Sequence, residues 1–231
     1  VCSSDLTHLT ARTAAFNRNW ERVADWIRGQ RPDIVVHLGD ITADGFEHPE
    51  ELGLARQAFD ALGCPVSYVP GNHDIGDNPM GPGAEAKHPL DLERLGQYEA
   101  LFGPDHWTLD REGWRLMGLN AQLLGTGTAR EAQQYEWISE QLRGYRGRLG
   151  LFLHKPLFRN GPGEPEVHVR YVPMAPRRRL LDLLAGCDLR FVASGHAHQT
   201  RRFVVDGVEH AWAPSTAFLL PDSIQERIGE K

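Results

Sequence analysis

Aspartate, histidine and asparagine gather in five short clusters: Asp5 with His8, Asp40, Asn72-His73-Asp74, His154, and His196 with His198. Each follows a short apolar run that reads as a strand, so the clusters occupy one topological position, the end of a strand, where α/β proteins bind ligands. If those ends converge, carboxylate, imidazole and amide groups form a donor set suited to borderline divalent metals such as Mn, Fe, Zn or Co. A structural zinc site would instead show clustered thiols, and Cys2, Cys64 and Cys187 lie far apart. His196 and His198 are two residues apart. On an extended strand such residues point to one side, so both rings can reach one dimetal centre. The other histidines divide by context. His48, His88, His106 and His168 fall in loops or near helix ends and read as plain surface residues, whereas His37 and His210 lie within strands.

The elements that must carry these clusters alternate. A strand over 1–4 leads to a helix over 13–29, whose Phe16, Trp20, Val23 and Ile27 form an apolar stripe of helical period. A strand over 33–38 ends at Gly39-Asp40, a helix spans 49–62, and the apolar run 64–69 delivers Gly71-Asn72-His73-Asp74. This alternation predicts parallel strands with right-handed crossovers. Residues 75–89 and 160–175 read as long loops shaping substrate access. Between and after them come a helix over 91–102, a strand over 114–120, a helix opened by a Thr128-to-Glu131 capping box, and a strand over 149–153. A helix over 176–186 follows, its Arg177-Arg178-Arg179 run reading as a solvated face. A strand over 189–193 and a hairpin turning at Asp206-Gly207 complete the chain.

A chain of 231 residues with 41% apolar content can bury a full core, and residues 1–231 read as one domain. The net charge of -6 disfavours a nucleic-acid binder, which needs a basic surface, but leaves phosphorylated small molecules open, since bound cations reverse the charge of a cleft. An odd number of scattered cysteines points to reduced thiols, and a cytoplasmic location is expected. The chain begins inside its first predicted strand, so an upstream targeting segment remains compatible with the sequence. No apolar run is long enough to span a bilayer.

In order, spacing and strand context, the series Asp5…His8, Gly39-Asp40, Gly71-Asn72-His73-Asp74, His154 and Gly195-His196-Ala197-His198 resembles the calcineurin-like metallophosphoesterases. The resemblance implies an α/β fold of two stacked mixed sheets flanked by helices. It also implies two divalent or mixed-valence metals bridged by Asp40. Asp5, His8, Asp40 and His198 would hold one metal, and Asp40, Asn72, His154 and His196 the other. His73 would be the unliganded imidazole that meets the substrate, with Asp74 orienting it. The implied reaction is phosphoester hydrolysis by a metal-activated hydroxide, a histidine assisting the leaving group. One departure stands out: the family's first motif is usually Asp-x-His, and Asp5-Leu6-Thr7-His8 has one residue more. A regular strand would turn His8 away and place Thr7 in its stead, unless a bulge or the following turn brings His8 back. The segment 212–217, with Pro214-Ser215-Thr216, resembles the class III cyclic-nucleotide phosphodiesterase branch. A phosphodiester, including a cyclic nucleotide, is therefore the expected substrate. Monoesters, nucleotide pyrophosphates and a non-catalytic scaffold are the alternatives.

Overall fold

Strands that are apolar on both faces must be covered on both, and here the second face of each sheet is covered by the other sheet. The computed structural model describes residues 2–4, 7–12, 14–79, 86–165 and 170–231. Asp5 and His168 lie outside the described residues. The first sheet joins β1 (Cys2–Ser4), β2 (Val35–His37) and β3 (Val66–Tyr68), all parallel, in that order. The second has six strands: β4 (Trp107–Arg111), β5 (Trp114–Leu119), β6 (Arg148–Leu153), β7 (Asp188–Ser194), β8 (Arg201–Val205) and β9 (Val208–Trp212). Their order is β4-β5-β6-β7-β9-β8, parallel from β5 to β9 and closed by an antiparallel strand at either edge.

The alternation along β2 shows how the layers assemble. Val35 shares one buried cluster with Trp20 and Ile27 of α1 (Ala14–Gln30), Leu52 and Phe59 of α2 (Glu50–Asp60), and Tyr98 of α4 (Leu92–Phe102). Val36 and, beyond the strand, Leu38 turn the other way and meet Leu116 and Phe152 of the second sheet. Glycines at the sheet interface make room for large rings: a Cβ on Gly118 would enter the Trp107 indole, and one on Gly150 the Phe191 ring. The far face of the second sheet, with Met117, Leu151 and Val192, is covered by Tyr135 and Ile138 of α5 (Ala129–Leu142) and Leu180 of α6 (Met174–Leu184). The order of layers is helix, sheet, sheet, helix, as the family resemblance implies, but the small sheet is wholly parallel instead of mixed.

Four differences have local causes. β4 was not anticipated; it pairs with β5 across Glu112-Gly113, both at positive φ, as a tight hairpin requires. α3 (Asn72–Ile75) is a single turn that starts after Val69-Pro70-Gly71, three residues beyond β3. Thr128 caps α5 through Glu131 N, but the Glu131 carboxylate accepts from Gly125 N and Gly127 N and closes the preceding turn. Arg177 is buried instead of solvated: its guanidinium donates to the carbonyls of Leu157 and Glu164, tying α6 to the preceding loop.

Candidate active site

The described clusters meet at the carboxyl ends of the parallel strands, where the two sheets adjoin. Asp40 is the common member. One donor atom each from His8, Asp40 and His198 lie within 4.8 Å of one another, and the same holds for Asp40, His154 and His196. The bond from His154 Nδ1 to the Leu38 carbonyl (2.7 Å) joins the sheets and orients the ring. Its Nε2 then faces His196 Nδ1 at 3.0 Å, Asn72 Oδ1 at 3.1 Å and Asp40 Oδ2 at 3.4 Å.

The backbone is bent hard to achieve this. Among the described non-glycine residues seven have positive φ, and four of them are His8 (45°), Asp40 (48°), His196 (59°) and His198 (51°). Such left-handed conformations are disfavoured and persist where the surroundings enforce them. One of them falls in the first motif. His8 is turned into the site from the residue after Thr7, while Thr7 Oγ1 donates to the Ile41 carbonyl (2.8 Å) and meets His37 Nε2 (3.3 Å). His8 lies with Asp40 and His198, while the Thr7 hydroxyl is engaged by the Ile41 carbonyl. No extended strand aims His196 and His198 together, contrary to expectation, since β7 ends at Ser194. They lie in the turn after β7, and their left-handed backbones send one ring to each group.

Glycines permit the closest approaches. A Cβ on Gly39 would stand 2.6 Å from His154 Nδ1, and one on Gly71 would stand 2.9 Å from Asp40 Cγ. His73 N donates to Asp40 Oδ1 (2.9 Å), and the His73 ring bonds the Ala43 carbonyl through Nδ1 (2.7 Å). The expectation that Asp74 orients His73 is therefore corrected. Asp74 is fully buried and accepts from Ile41 N (3.2 Å), Thr42 N (3.0 Å), Thr42 Oγ1 (2.8 Å) and Gly71 N (2.9 Å). It clamps the Asp40 loop to the Gly71 loop and acts on the site through the backbone.

The electrostatics fit a cation. Burial alone would raise Asp40, but the imidazoles of His154, His73 and His8 outweigh it and hold the carboxyl well below the usual range. Burial, reinforced by neighbouring imidazoles, pushes His8 and His196 well below the ordinary histidine value, and burial brings His198 to about 4. Burial pulls His154 down as well, yet the Asp40 charge prevails and raises it. An anionic carboxylate beside the neutral imidazoles of His8, His196 and His198 is the ligating state of those residues, whereas His154, raised by Asp40, would release its proton on binding a metal. His8 Nε2 is buried without a hydrogen-bond partner, an atom whose desolvation a metal bond would offset. The residues present fit two cations sharing Asp40.

Several contributors were not singled out from sequence. The Phe218 ring stands 4.9 Å from His8, 4.8 Å from His198 and 5.1 Å from Phe16, walling the first group with aromatic surface. Phe16 thus faces the site at one end of the α1 stripe. Ser215 Oγ accepts from Ala217 N (3.1 Å) and Phe218 N (3.4 Å), so the Pro-Ser-Thr segment forms the turn that presents Phe218. His88, expected at the plain surface, instead lines a cavity of about 250 Å³ beside His73. His37 is a core group: burial lowers it to about 3, and its Nδ1 accepts from Gly39 N.

The model of the calcineurin-like phosphoesterase family matches residues 4–200. The chain belongs to that family. Among curated relatives of this calcineurin-like chain, a probable glycerophosphodiester phosphodiesterase GpdQ from Arcobacter nitrofigilis is 27% identical over 175 residues, 73% of this chain and 58% of the relative. A probable cyclic nucleotide phosphodiesterase from Synechococcus is 24% identical over 175 residues, 75% of this chain and 60% of that protein. The chain thus spans less than two thirds of either relative. A crystal structure of a dimetal phosphatase from Danio rerio superposes with a TM-score of 0.65 at 15% identity, covering 93% of this chain and 87% of that one, a likeness of fold. Among the described residues no helix is long and apolar enough to cross a membrane.

Proposed function

We propose that this calcineurin-like chain is a dimetal-dependent phosphoesterase that hydrolyses a small-molecule phosphodiester. The observation that carries the reading is Asp40, one buried carboxylate common to two donor groups, with His73 alongside but in neither. His8, Asp40 and His198 would hold one cation, with Asp5 added by family resemblance, and Asp40, Asn72, His154 and His196 the other. The donors suit Mn, Fe, Zn or Co. When bound, such a pair polarises phosphoryl oxygens and lowers the pKa of water.

The chain's own residues supply the rest. Because the His73 Nδ1 proton is committed to the Ala43 carbonyl, the proton available to a leaving alkoxide is the one on Nε2, a general-acid role worth roughly 10²–10⁴ in rate. The bond from His73 N to Asp40 Oδ1 keeps this imidazole in register with the shared carboxylate. Phe16 and Phe218 exclude water from the His8 side. Asp74 holds the loops of Asp40 and Asn72 at fixed separation.

The names of the relatives, one a glycerophosphodiester and one a cyclic nucleotide phosphodiesterase, favour a diester over a monoester, and the two donor groups sharing Asp40 argue against a non-catalytic scaffold. The test is hydrolysis of bis(4-nitrophenyl) phosphate and 4-nitrophenyl phosphate with added Mn, Fe, Zn or Co and with a chelator. Metal-dependent cleavage favouring the diester is expected. Failure with every metal would discard the enzyme reading, and preference for the monoester would replace the substrate class.

A further inference from the structure

His154 is followed by a lysine whose side chain serves neither donor group. Lys155 is only 1% exposed, an uncommon place for an ammonium unless it is paired and hydrogen-bonded. Its Nζ lies 2.5 Å from Asp77 Oδ1 and also donates to Asn78 Oδ1. Both partners sit just after α3, in the segment that leaves Asn72-His73-Asp74. The end of β6 therefore presents an imidazole to the donor groups and, one residue later, a cation to the loop beyond His73.

Asp77 is the hub of that loop. Its N donates to the His88 carbonyl (2.7 Å) and its carbonyl accepts from Leu90 N (2.8 Å), closing 77–90 at its base. Its carboxylate also accepts from Gln122 Nε2 (3.3 Å), and Asn78 Nδ2 donates to the Leu124 carbonyl (3.0 Å). The segment so fastened contributes Asp77, Lys87 and His88 to the cavity of about 250 Å³ that also contains His73 and Phe46. Phe46 and His88 stand ring to ring at 4.8 Å. With His73 as the general acid proposed above, the cavity beside it is the place for the leaving group.

We propose that Lys155 is a positioning residue for the leaving-group wall: through Asp77 and Asn78 it fixes the loop carrying Lys87 and His88 over His73, and so sets which ester groups are accepted. The inference rests on the phosphodiesterase reading. A buried ion pair is a poor source of net stability but an effective way to specify one arrangement of a loop, and a displacement of about 1 Å in such a wall can cost on the order of 10²-fold.

The test compares wild type with Lys155→Met in the metal-loaded protein, using bis(4-nitrophenyl) phosphate as substrate and inorganic phosphate as competitive inhibitor. Phosphate engages the phosphoryl site but leaves the leaving-group cavity unfilled. The expected result is a KM raised on the order of tenfold, with the phosphate inhibition constant and bound metal unchanged. If phosphate inhibition weakens in step with KM, or metal is lost, Lys155 supports the donor groups and the proposal is wrong. An unchanged KM overturns it equally. Should Lys155→Met fail to fold, Asp77→Asn carries the test, because it weakens the same tether from the cavity side with the same expected split. A wild type inactive on the diester would refute the phosphodiesterase reading itself, whereas an active wild type with an unaffected variant refutes only the role of Lys155.

Discussion

Substituting Gly71 by alanine should disable the site while leaving the fold standing. Gly71 has φ -108° and ψ 177°, extended backbone open to any residue, so the demand for glycine here is one of space. An added Cβ would stand 2.9 Å from Asp40 Cγ and closer still to Asp40 N and Oδ1. Carbon atoms rest at about 3.5–4.0 Å, so the carboxylate must retreat by at least about 0.6 Å (3.5 - 2.9). It has no free direction, since Asp40 is held at φ 48° and its Oδ1 is bonded by His73 N. Overpacking of this kind costs about 1–3 kcal/mol in stability. Metal–ligand distances tolerate only about ±0.2 Å, so metal affinity and turnover should fall far more, with a rate loss of about 10²-fold. Bound metal by mass spectrometry, diester hydrolysis and a thermal melt read the three quantities. Gly53→Ala is the control: nothing lies within 4 Å of the added carbon on α2, and stability should rise by about 0.5–1 kcal/mol with activity intact. A Gly71→Ala protein with full metal content and wild-type turnover would refute the claim that Asp40 is held by packing and shared by two cations.

Three further outcomes are expected. His73→Ala should retain its metals while turnover drops roughly 10²–10⁴-fold; undiminished turnover would remove His73 from the chemistry. Thr42→Val leaves Asp74 without a hydroxyl donor and frees Gly45 N, and should lower stability by about 1–3 kcal/mol in denaturant melts; an unchanged midpoint would show that the Asp74 clamp does not depend on Thr42. His210 lies between Phe158 and Phe203, and burial lowers it from 6.5 to about 4. The unfolded chain therefore binds a proton at higher pH than the folded one, and stability falls as pH drops from about 6.5 toward 4, by about 2–3 kcal/mol. His210→Phe should flatten that part of the pH–stability curve, and an equally steep decline in the variant would place the acid sensitivity elsewhere.

The strand-end position of Asp40, Asn72, His154, His196 and His198 was legible because period and punctuation locate strand ends without any tertiary information. The way those residues reach one another was not. His8 arrives through a left-handed residue, and His196 and His198 diverge to separate groups for the same reason; backbone angles enforced by surrounding packing leave no trace in local pattern. The roles of Asp74 and Arg177 were misjudged because an Asp after His, or Arg beside Arg, has the same composition whether it faces water or a set of buried backbone groups. β4 could have been found, since Glu112-Gly113 flanked by Leu109 and Trp114 is a hairpin signal. Phe218 could not, because its place beside His8 depends on a contact between opposite ends of the chain.

The hydrogen bond between His154 Nδ1 and the Leu38 carbonyl spans a seam between two chain segments, each supplying one sheet. Residues up to Ile75 contribute His8, Asp40 and Asn72, whereas those from Trp107 onward contribute His154, His196 and His198. Neither segment holds either donor group complete. Cations bound there would act as a clasp across the seam as well as a reagent, so stripping them should loosen how the two leaves of the sandwich are docked before either leaf melts.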